Sequence, residues 1–260
     1  MTQTRRSFLT HAGAAVGLIT VLPFSARAAG HMSDVFADGA ITVHPIAHAS
    51  FVMETPAGVI YVDPVGDAAS YESLPSADYI LITHEHGDHY NVDTLTALKG
   101  DATQMITNPA VFEKLPEGLR NNTQVLANGE SAAWGEIGVD AIPAYNTTEE
   151  RMNFHPEGRD NGYIVTLDGF RTYISGDTEP TPEMLALTDI DLAFLCMNLP
   201  FTQTAQQAAE AVKVFKPTYV YPYHYQGRDG GTQDPEQFAE LVGGASEVKI
   251  GDWYGDHSHG

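Results

Sequence analysis

The sequence predicts an αββα sandwich: a single domain in which two mixed β-sheets lie face to face with helices outside. Three observations predict it. The first half of the chain opens on short hairpin-type strands and then alternates strands with helices. The second half repeats that plan, without a detectable sequence repeat. A wholly apolar run, Tyr79-Ile80-Leu81-Ile82, reads as a strand covered on both faces.

The elements follow in order. Ile41 to Val43, Phe51 to Glu54 and Val59 to Val62 are short β-type runs, and Thr55-Pro56-Ala57-Gly58 is the turn between the last two. After the apolar run at Tyr79, Asn91 is placed to cap a helix from Val92 to Leu98. A strand from Gln104 to Thr107, a short helix from Pro109 to Leu115 and strands at Thr123 to Leu126 and Ile137 to Ile142 come next. Tyr163 to Leu167 and Phe170 to Ile174 flank Asp168-Gly169, a dipeptide that favours a tight hairpin turn. A strand from Leu192 to Met197 precedes Thr204-Ala205-Gln206-Gln207, a capping-box pattern, and Ala205, Ala208, Ala209, Val212 and Phe215 then line one helical face. A strand from Tyr219 to Tyr223, a helix from Pro235 to Val242 and a strand from Val248 to Ile250 close the pattern.

The first 28 residues stand apart. Thr4-Arg5-Arg6-Ser7-Phe8-Leu9 is a twin-arginine export signature; an apolar stretch from Ala12 to Phe24 follows, and Ala26-Arg27-Ala28 supplies the small residues a peptidase needs. The stretch is too short for a membrane span, which takes ~20 apolar residues. The expected organisation is an export signal over residues 1–28 and one domain over 29–260, located in the periplasm or outside the cell, with the twin-arginine machinery as a partner and no stable membrane anchor.

The chain of 260 residues carries a formal charge of −21. Removing Arg5, Arg6 and Arg27 leaves 10 basic residues against 34 acidic ones, a charge near −24. Such a surface repels phosphate backbones and argues against nucleic acid as a partner. Cys196 is the single cysteine, so no intrachain disulfide forms, and its apolar surroundings in sequence read as core rather than as a nucleophile.

His84-Glu85-His86-Gly87-Asp88-His89 carries the chemistry. Three imidazoles and two carboxylates follow directly on the buried strand. In an extended segment residues two apart point the same way, so His84 and His86 can address one ion. Gly87 permits a sharp turn that swings Asp88 and His89 toward a second. Imidazole with carboxylate suits zinc, iron or manganese, and the lack of thiolates excludes a cysteine-type structural zinc site.

Residues 84–89 match the His-x-His-x-Asp-His signature of the metallo-β-lactamase superfamily, which the chain resembles. Further landmarks fall in the family's order: Tyr61-Val62-Asp63-Pro64, Ser175-Gly176-Asp177-Thr178 and Tyr221-Pro222-Tyr223-His224. The resemblance covers about Ile41 to Ile250 and is strongest to the branch containing ascorbate-6-phosphate lactonase. One landmark departs, because Asn146 stands where many members place a histidine ligand. His155, nine residues on, is the preferred substitute.

The resemblance implies a metal-dependent hydrolase with two divalent ions, zinc first and manganese or iron also suited. His84, His86 and His155 are the expected ligands of the first ion, and Asp88, His89 and His224 of the second. Asp177 is expected to bridge them. A hydroxide between the ions attacks a carbonyl or phosphoryl centre of a small molecule, with lactone and phosphodiester the leading bonds and Asp88 and Asp177 as the catalytic carboxylates. Tyr145 and Asn146 are placed to contact substrate and Asp63 to orient a ligand; His48, in His48-Ala49-Ser50-Phe51, reads as structural, with a place facing the site as the alternative. A non-catalytic periplasmic protein binding metal or ligand on the same fold is the alternative, favoured by Asn146 alone.

Overall fold

The computed structural model describes residues 33–255. The expected export signal over residues 1–28, and His257 and His259 of the tail, lie outside the described residues.

Fourteen strands form two seven-stranded sheets among the described residues. The first contains β1 (Asp34–Phe36), β2 (Ile41–Ala47), β3 (Ser50–Thr55), β4 (Gly58–Val62), β5 (Tyr79–Leu81), β6 (Gln104–Thr107) and β7 (Thr123–Val125), in that spatial order. Strands β1 to β4 pair antiparallel and β4 to β7 parallel. The second contains β8 (Ser131–Trp134), β9 (Ile137–Ala144), β10 (Asp160–Leu167), β11 (Phe170–Ile174), β12 (Leu192–Cys196), β13 (Tyr219–Tyr223) and β14 (Glu247–Val248), again in sequence order. Here β8 to β11 are antiparallel and β11 to β14 parallel. Each half is thus a meander that becomes a set of parallel crossovers.

Helices α1 (Val92–Leu98), α2 (Pro109–Lys114), α3 (Pro182–Leu185), α4 (Ala205–Phe215) and α5 (Pro235–Val242) supply the crossovers. Their starts obey local chemistry. Asn91 accepts from the Thr94 N–H, and Thr204 and Gln207 form the reciprocal capping box. The turn between β10 and β11 has both central residues at positive φ, Asp168 at 48° and Gly169 at 82°, as a two-residue hairpin of primed type requires.

The main core lies between the sheets. Phe51 of β3 stacks on Phe194 of β12 with ring centroids 3.9 Å apart, and Trp253 meets both rings edge-on. Its far side continues under α4 and α5 through Ala208, Val212 and Phe238. A second core packs α1 and α2 onto the outer face of the first sheet, where Leu95 and Val111 meet Ile80, Ile82 and Met105. This explains the unbroken apolar run at Tyr79: β5 faces a core on each side.

Three elements escape the sequence pattern. Strand β1, strand β8 and the single-turn α3 are short and carry too few apolar residues to show a period. The last strand ends at Val248, two residues before the expected end, and its two pairs with β13 are Tyr219 with Glu247 and Val220 with Val248.

Candidate metal centre

The parallel strands of both sheets end at one edge, and the loops leaving them carry the chemistry, as in open α/β sheets. Asp63 follows β4, the 84–89 segment follows β5, Asp177 follows β11, Asn198 follows β12 and His224 follows β13. His48 sits in the tight turn between β2 and β3, and His155 in the loop between β9 and β10.

These positions converge. Ligand atoms of His84, His86 and His155 lie within 4.8 Å of one another, and so do those of His84, His89 and Asp177, and those of His48, Asp88 and His224. Asp177 links the groups. Its Oδ2 is 3.4 Å from Nε2 of both His155 and His224, and its Oδ1 is 3.4 Å from Nε2 of His89. Asp88 Oδ2 is 3.3 Å from Nε2 of His224 and of His48. The seven expected ligands therefore share one site.

The protein fixes the outer nitrogen of four of these rings. Thr83 donates its hydroxyl to Asp63 at 2.6 Å, so its oxygen accepts from His84 Nδ1 at 3.0 Å. His89 Nδ1 donates to Asp63 at 2.8 Å and His155 Nδ1 to Asp160 at 3.0 Å. His224 Nδ1 lies 2.6 Å from the side-chain amide of Asn198. With that amide turned to present oxygen, Nδ1–H donates to it; the Thr202 hydroxyl, 2.6 Å from the other end, can serve either orientation. In a neutral ring each arrangement leaves Nε2 facing inward as a lone pair, the pattern of metal-ligating histidines.

Those inward atoms lack protein partners. Nε2 of His84, His89 and His224 and Oδ1 of Asp177 are buried without a hydrogen bond. An unsatisfied buried polar group costs about 1–3 kcal/mol. Four of them approach the whole stability of a domain, about 5–15 kcal/mol. The donor set, imidazole nitrogens with carboxylate oxygens, fits divalent ions and supplies the missing partners.

One ring stands apart: burial opposes charge on His89, but Asp177 and Asp63 outweigh it and hold the ring well above its ordinary value. Burial, reinforced by the neighbouring His89, holds His84 well below its ordinary value and therefore neutral. Burial also lowers His86 and His48. Burial opposes charge on Asp177 and Asp88, but the imidazoles around them win and hold both carboxyls below their usual range.

Backbone geometry is strained here. His48, Asp63 and His224 adopt left-handed φ values of 54°, 43° and 49°. Such conformations disfavour ordinary L-residues and cluster at functional sites. Gly176 has φ +59°, and a Cβ on it would lie 2.9 Å from the Asn161 carbonyl and 3.2 Å from Thr83 Cβ, so glycine lets the Asp177 loop close onto Thr83. Gly87 needs no such freedom. Its turn is made by the His89 and Tyr90 N–H groups, which both donate to the His86 carbonyl, and a Cβ there would meet nothing.

Three residues sit differently from their reading in the sequence. Asn146 is buried, and its Nδ2 donates to the carbonyls of Arg151 at 2.9 Å and Phe201 at 2.7 Å, which ties two loops together, while its Oδ1 is buried without a hydrogen bond. Tyr145 donates its hydroxyl to Glu183 at 3.2 Å and does not line the cavity at the site. His48, read as structural, lines that cavity. Its ring lies 3.7 Å from that of His224, its Nδ1 is 2.9 Å from the Tyr254 hydroxyl, and its carbonyl accepts from the His224 N–H at 3.0 Å. The signal that finds it is conformational, since a lone histidine two residues before Ser50 has no motif in the sequence.

The cavity holds about 470 Å³ and is lined by His48, Asp88, His155, Asp177 and His224 with Phe154, Phe201 and Arg228. A larger cleft of about 570 Å³ beside Ala37, Glu136 and Phe170 has no cluster of ligating groups among the described residues. Cys196 lies beneath the site with its thiol pushed up to about 12 by burial, so it is no nucleophile. Its sulfur accepts from the Thr178 N–H and donates to the Thr178 carbonyl, both at 3.4 Å, holding the Asp177 loop from below.

Comparisons with known proteins agree with this geometry. Residues 42–224 match the model of a family described as the beta-lactamase superfamily domain. A UPF0173 metal-dependent hydrolase of Thermococcus onnurineus is 31% identical over 219 residues, 81% of this chain and 96% of that one. A crystal structure from Parabacteroides distasonis, named for a metal-dependent hydrolase, superposes with a TM-score of 0.74 at 39% identity, covering 85% of this chain and 97% of that one. A diiron β-hydroxylase from Streptomyces venezuelae shares the fold, with a TM-score of 0.63 at 17% identity over 81% of this chain and 53% of its own.

Proposed function

Because the chain belongs to the metallo-β-lactamase superfamily and is a metal-dependent hydrolase of it, we propose that it binds two divalent ions and cleaves an ester-type bond, lactone or phosphodiester, in a small molecule. One observation carries the reading: buried Nε2 atoms of His84, His89 and His224 and Oδ1 of Asp177 face one another without protein partners. His84, His86 and His155 are the ligands assigned to the first ion, Asp88, His89 and His224 to the second, with Asp177 between them. Zinc suits this donor set. Manganese and iron suit it too, and the diiron neighbour on the same fold keeps iron in view.

Held by these residues, divalent ions would supply hydroxide near neutral pH, since a catalytic zinc lowers the pKa of its water to ~7, and would offset charge at the attacked centre. The chain's own residues do the rest. Asp88 and Asp177 stay ionised and hold the reacting geometry between the two histidine groups. Asp63, Asp160 and Asn198 keep the rings in register from behind. Phe154 and Phe201, edge to face at 5.0 Å, form a dry wall on one side of the cavity. The alternative of a non-catalytic binder rested on Asn146, and that residue has a loop-tying role here.

The test pairs elemental analysis of protein purified without chelator with turnover on a lactone and phosphodiester panel. Close to two ions per chain and turnover of one bond class are expected. Less than half an ion after reconstitution defeats the two-metal reading, and two ions with no turnover across the panel defeat the ester assignment.

The Arg5-Arg6 pair supports export by the twin-arginine machinery to the periplasm or beyond. Among the described residues no helix is long and apolar enough to cross a membrane. Replacing both arginines by lysine is expected to retain the protein in the cytoplasm, as read by cell fractionation; unchanged export overturns the assignment.

A further inference from the structure

The two assigned ion positions differ in the charge around them. Asp177 is common to both. The second position has the carboxylate of Asp88 among its ligands and Asp63 buried behind His89, 2.8 Å from Nδ1. Among the described residues no lysine or arginine pairs with either carboxylate. The first position has imidazoles alone, from His84, His86 and His155. Asp160 stands behind His155 at 3.0 Å, but its charge is met by Arg159, which donates Nε to Oδ1 at 2.7 Å and Nη2 to Oδ2 at 2.8 Å. Asp177 aside, two negative charges therefore surround the second position, while at the first a carboxylate and a guanidinium cancel.

Arg159 is also pinned against the first position. Its Nη2 donates to the Phe154 carbonyl at 2.8 Å and lies 3.4 Å from His86 Nε2. A guanidinium stays protonated and only donates, so this contact draws on the Nε2 lone pair. His86 thereby departs from the other rings. Those of His84, His89, His155 and His224 are held from behind at Nδ1, whereas the ring of His86 makes its one hydrogen bond, among the described residues, to a cation. A lone pair that accepts from Arg159 is not free for a metal. An ion entering the first position must displace that contact, and the bonds to Asp160 and Phe154 then keep the positive charge close by. Glu85 does not offset it, since its carboxylate pairs with Lys114 at 3.0 Å.

We infer that the two positions load unequally: the second ion binds at least about tenfold more tightly than the first, and Arg159 sets the gap, which makes the first position the exchangeable one. This rests on the proposed two-metal reading of the same site. A unit charge beside a divalent ion changes its affinity by roughly tenfold even under the screening of water, and by more where burial weakens that screening. The first position then fills and empties with the supply of free metal while the second stays occupied. The chain in this way carries a switch from one ion to two, thrown by metal concentration.

The test measures metal affinity and needs no substrate. Zinc is withdrawn from the loaded protein by a graded chromophoric chelator, and the two dissociation constants are read in turn. They are expected to differ by at least about tenfold. His155→Ala, which removes the first position, is expected to retain the tighter constant. Arg159→Gln and Arg159→Met are each expected to tighten the weaker constant by about tenfold and leave the tighter one unchanged. The sign is decisive: an arginine that only braced Asp160 and His155 would, when removed, loosen the first ion. A wild-type gap below about tenfold, a His155→Ala protein that keeps the weaker constant, or a first ion unchanged or looser in either Arg159 variant overturns the inference. The wild-type gap needs no variant, so it decides even where a substitution unfolds the chain. Fewer than two ions at saturating zinc sinks the two-metal reading, and this inference with it, whereas two ions of equal affinity sink this inference alone.

Discussion

The backbone N–H of Asn146 donates to the carbonyl of His155 at 2.9 Å, so two residues nine apart in sequence are tied together at the rim of the metal centre. Their side chains diverge. His155 sends Nε2 to within 3.4 Å of Asp177, while Asn146 donates its amide to Arg151 and Phe201.

The two residues should therefore fail differently. His155→Ala is expected to lose about one ion per chain, whereas Asn146→Ala keeps both ions and loses stability, about 1–3 kcal/mol for each of the two carbonyls left without a donor. Elemental analysis and denaturant melts separate the two. Metal loss in the asparagine variant alongside a fully loaded histidine variant would falsify the assignment.

Asp88 and Asp177 sit among the imidazoles as ionised carboxylates. Asp88→Asn and Asp177→Asn are each expected to reduce turnover by at least about a hundredfold, the scale of losing one electrostatic contact to the reacting atoms. The check is kcat on whichever ester the panel identifies, with metal content measured in parallel. Near-normal turnover in either variant refutes a catalytic role for that carboxylate.

His48 makes a sharper case, because its sequence context is bland. His48→Ala is expected to weaken the second ion by about 10–100-fold, the usual effect of deleting a group that supports a ligand, with the first ion unaffected. Competition with a chromophoric chelator measures both affinities. His48→Asn tolerates the left-handed backbone and separates loss of the ring from loss of the turn. Wild-type affinity at both sites in the two variants would reduce His48 to a packing residue.

Cys196, beneath the Asp177 loop, gives a pH-dependent test of its own. Burial raises its thiol to about 12, so at pH 8.5 the folded protein exposes roughly a thousandfold less thiolate than an ordinary cysteine. Iodoacetamide should label it only on unfolding. The sign of the linkage follows: above about pH 9 an unfolded chain releases this proton and the folded one keeps it, so this contribution to stability falls as pH rises between 9 and 12. Rapid labelling of native protein at pH 8.5 contradicts the buried placement.

Much of this was legible in the sequence. The 84–89 cluster announces itself by residue type and by its place after an apolar strand, whereas Asp177 and His224 stand out only through the family order they share with it. The helix starts at Asn91 and Thr204 follow from side chains that bond their own backbone. What stayed hidden depends on long-range geometry. His48 meets Asp88 and His224 across 40 and 176 positions, and no local pattern reports such a meeting. Tyr145 and Asn146 look like rim residues from their neighbours, yet partners at Glu183 and Phe201 turn them elsewhere. Gly87 reads as permitting the sharp turn, while the turn is made by two amides on a single carbonyl.

The donors of the centre come from both sheets. His48, His84, His86, Asp88 and His89 hang from the first, and His155, Asp177 and His224 from the second. On the proposed assignment, the ions would act as a rivet through the seam between two similar halves. A chain nicked in the loop near Asn128 would leave two fragments, each with an incomplete coordination set. Loaded with metal, those fragments should stay associated as a non-covalent pair; a chelator should let them drift apart. The same rivet would make metal loading a checkpoint on assembly, since the sandwich would be clamped at its open edge only once both halves have delivered their side chains.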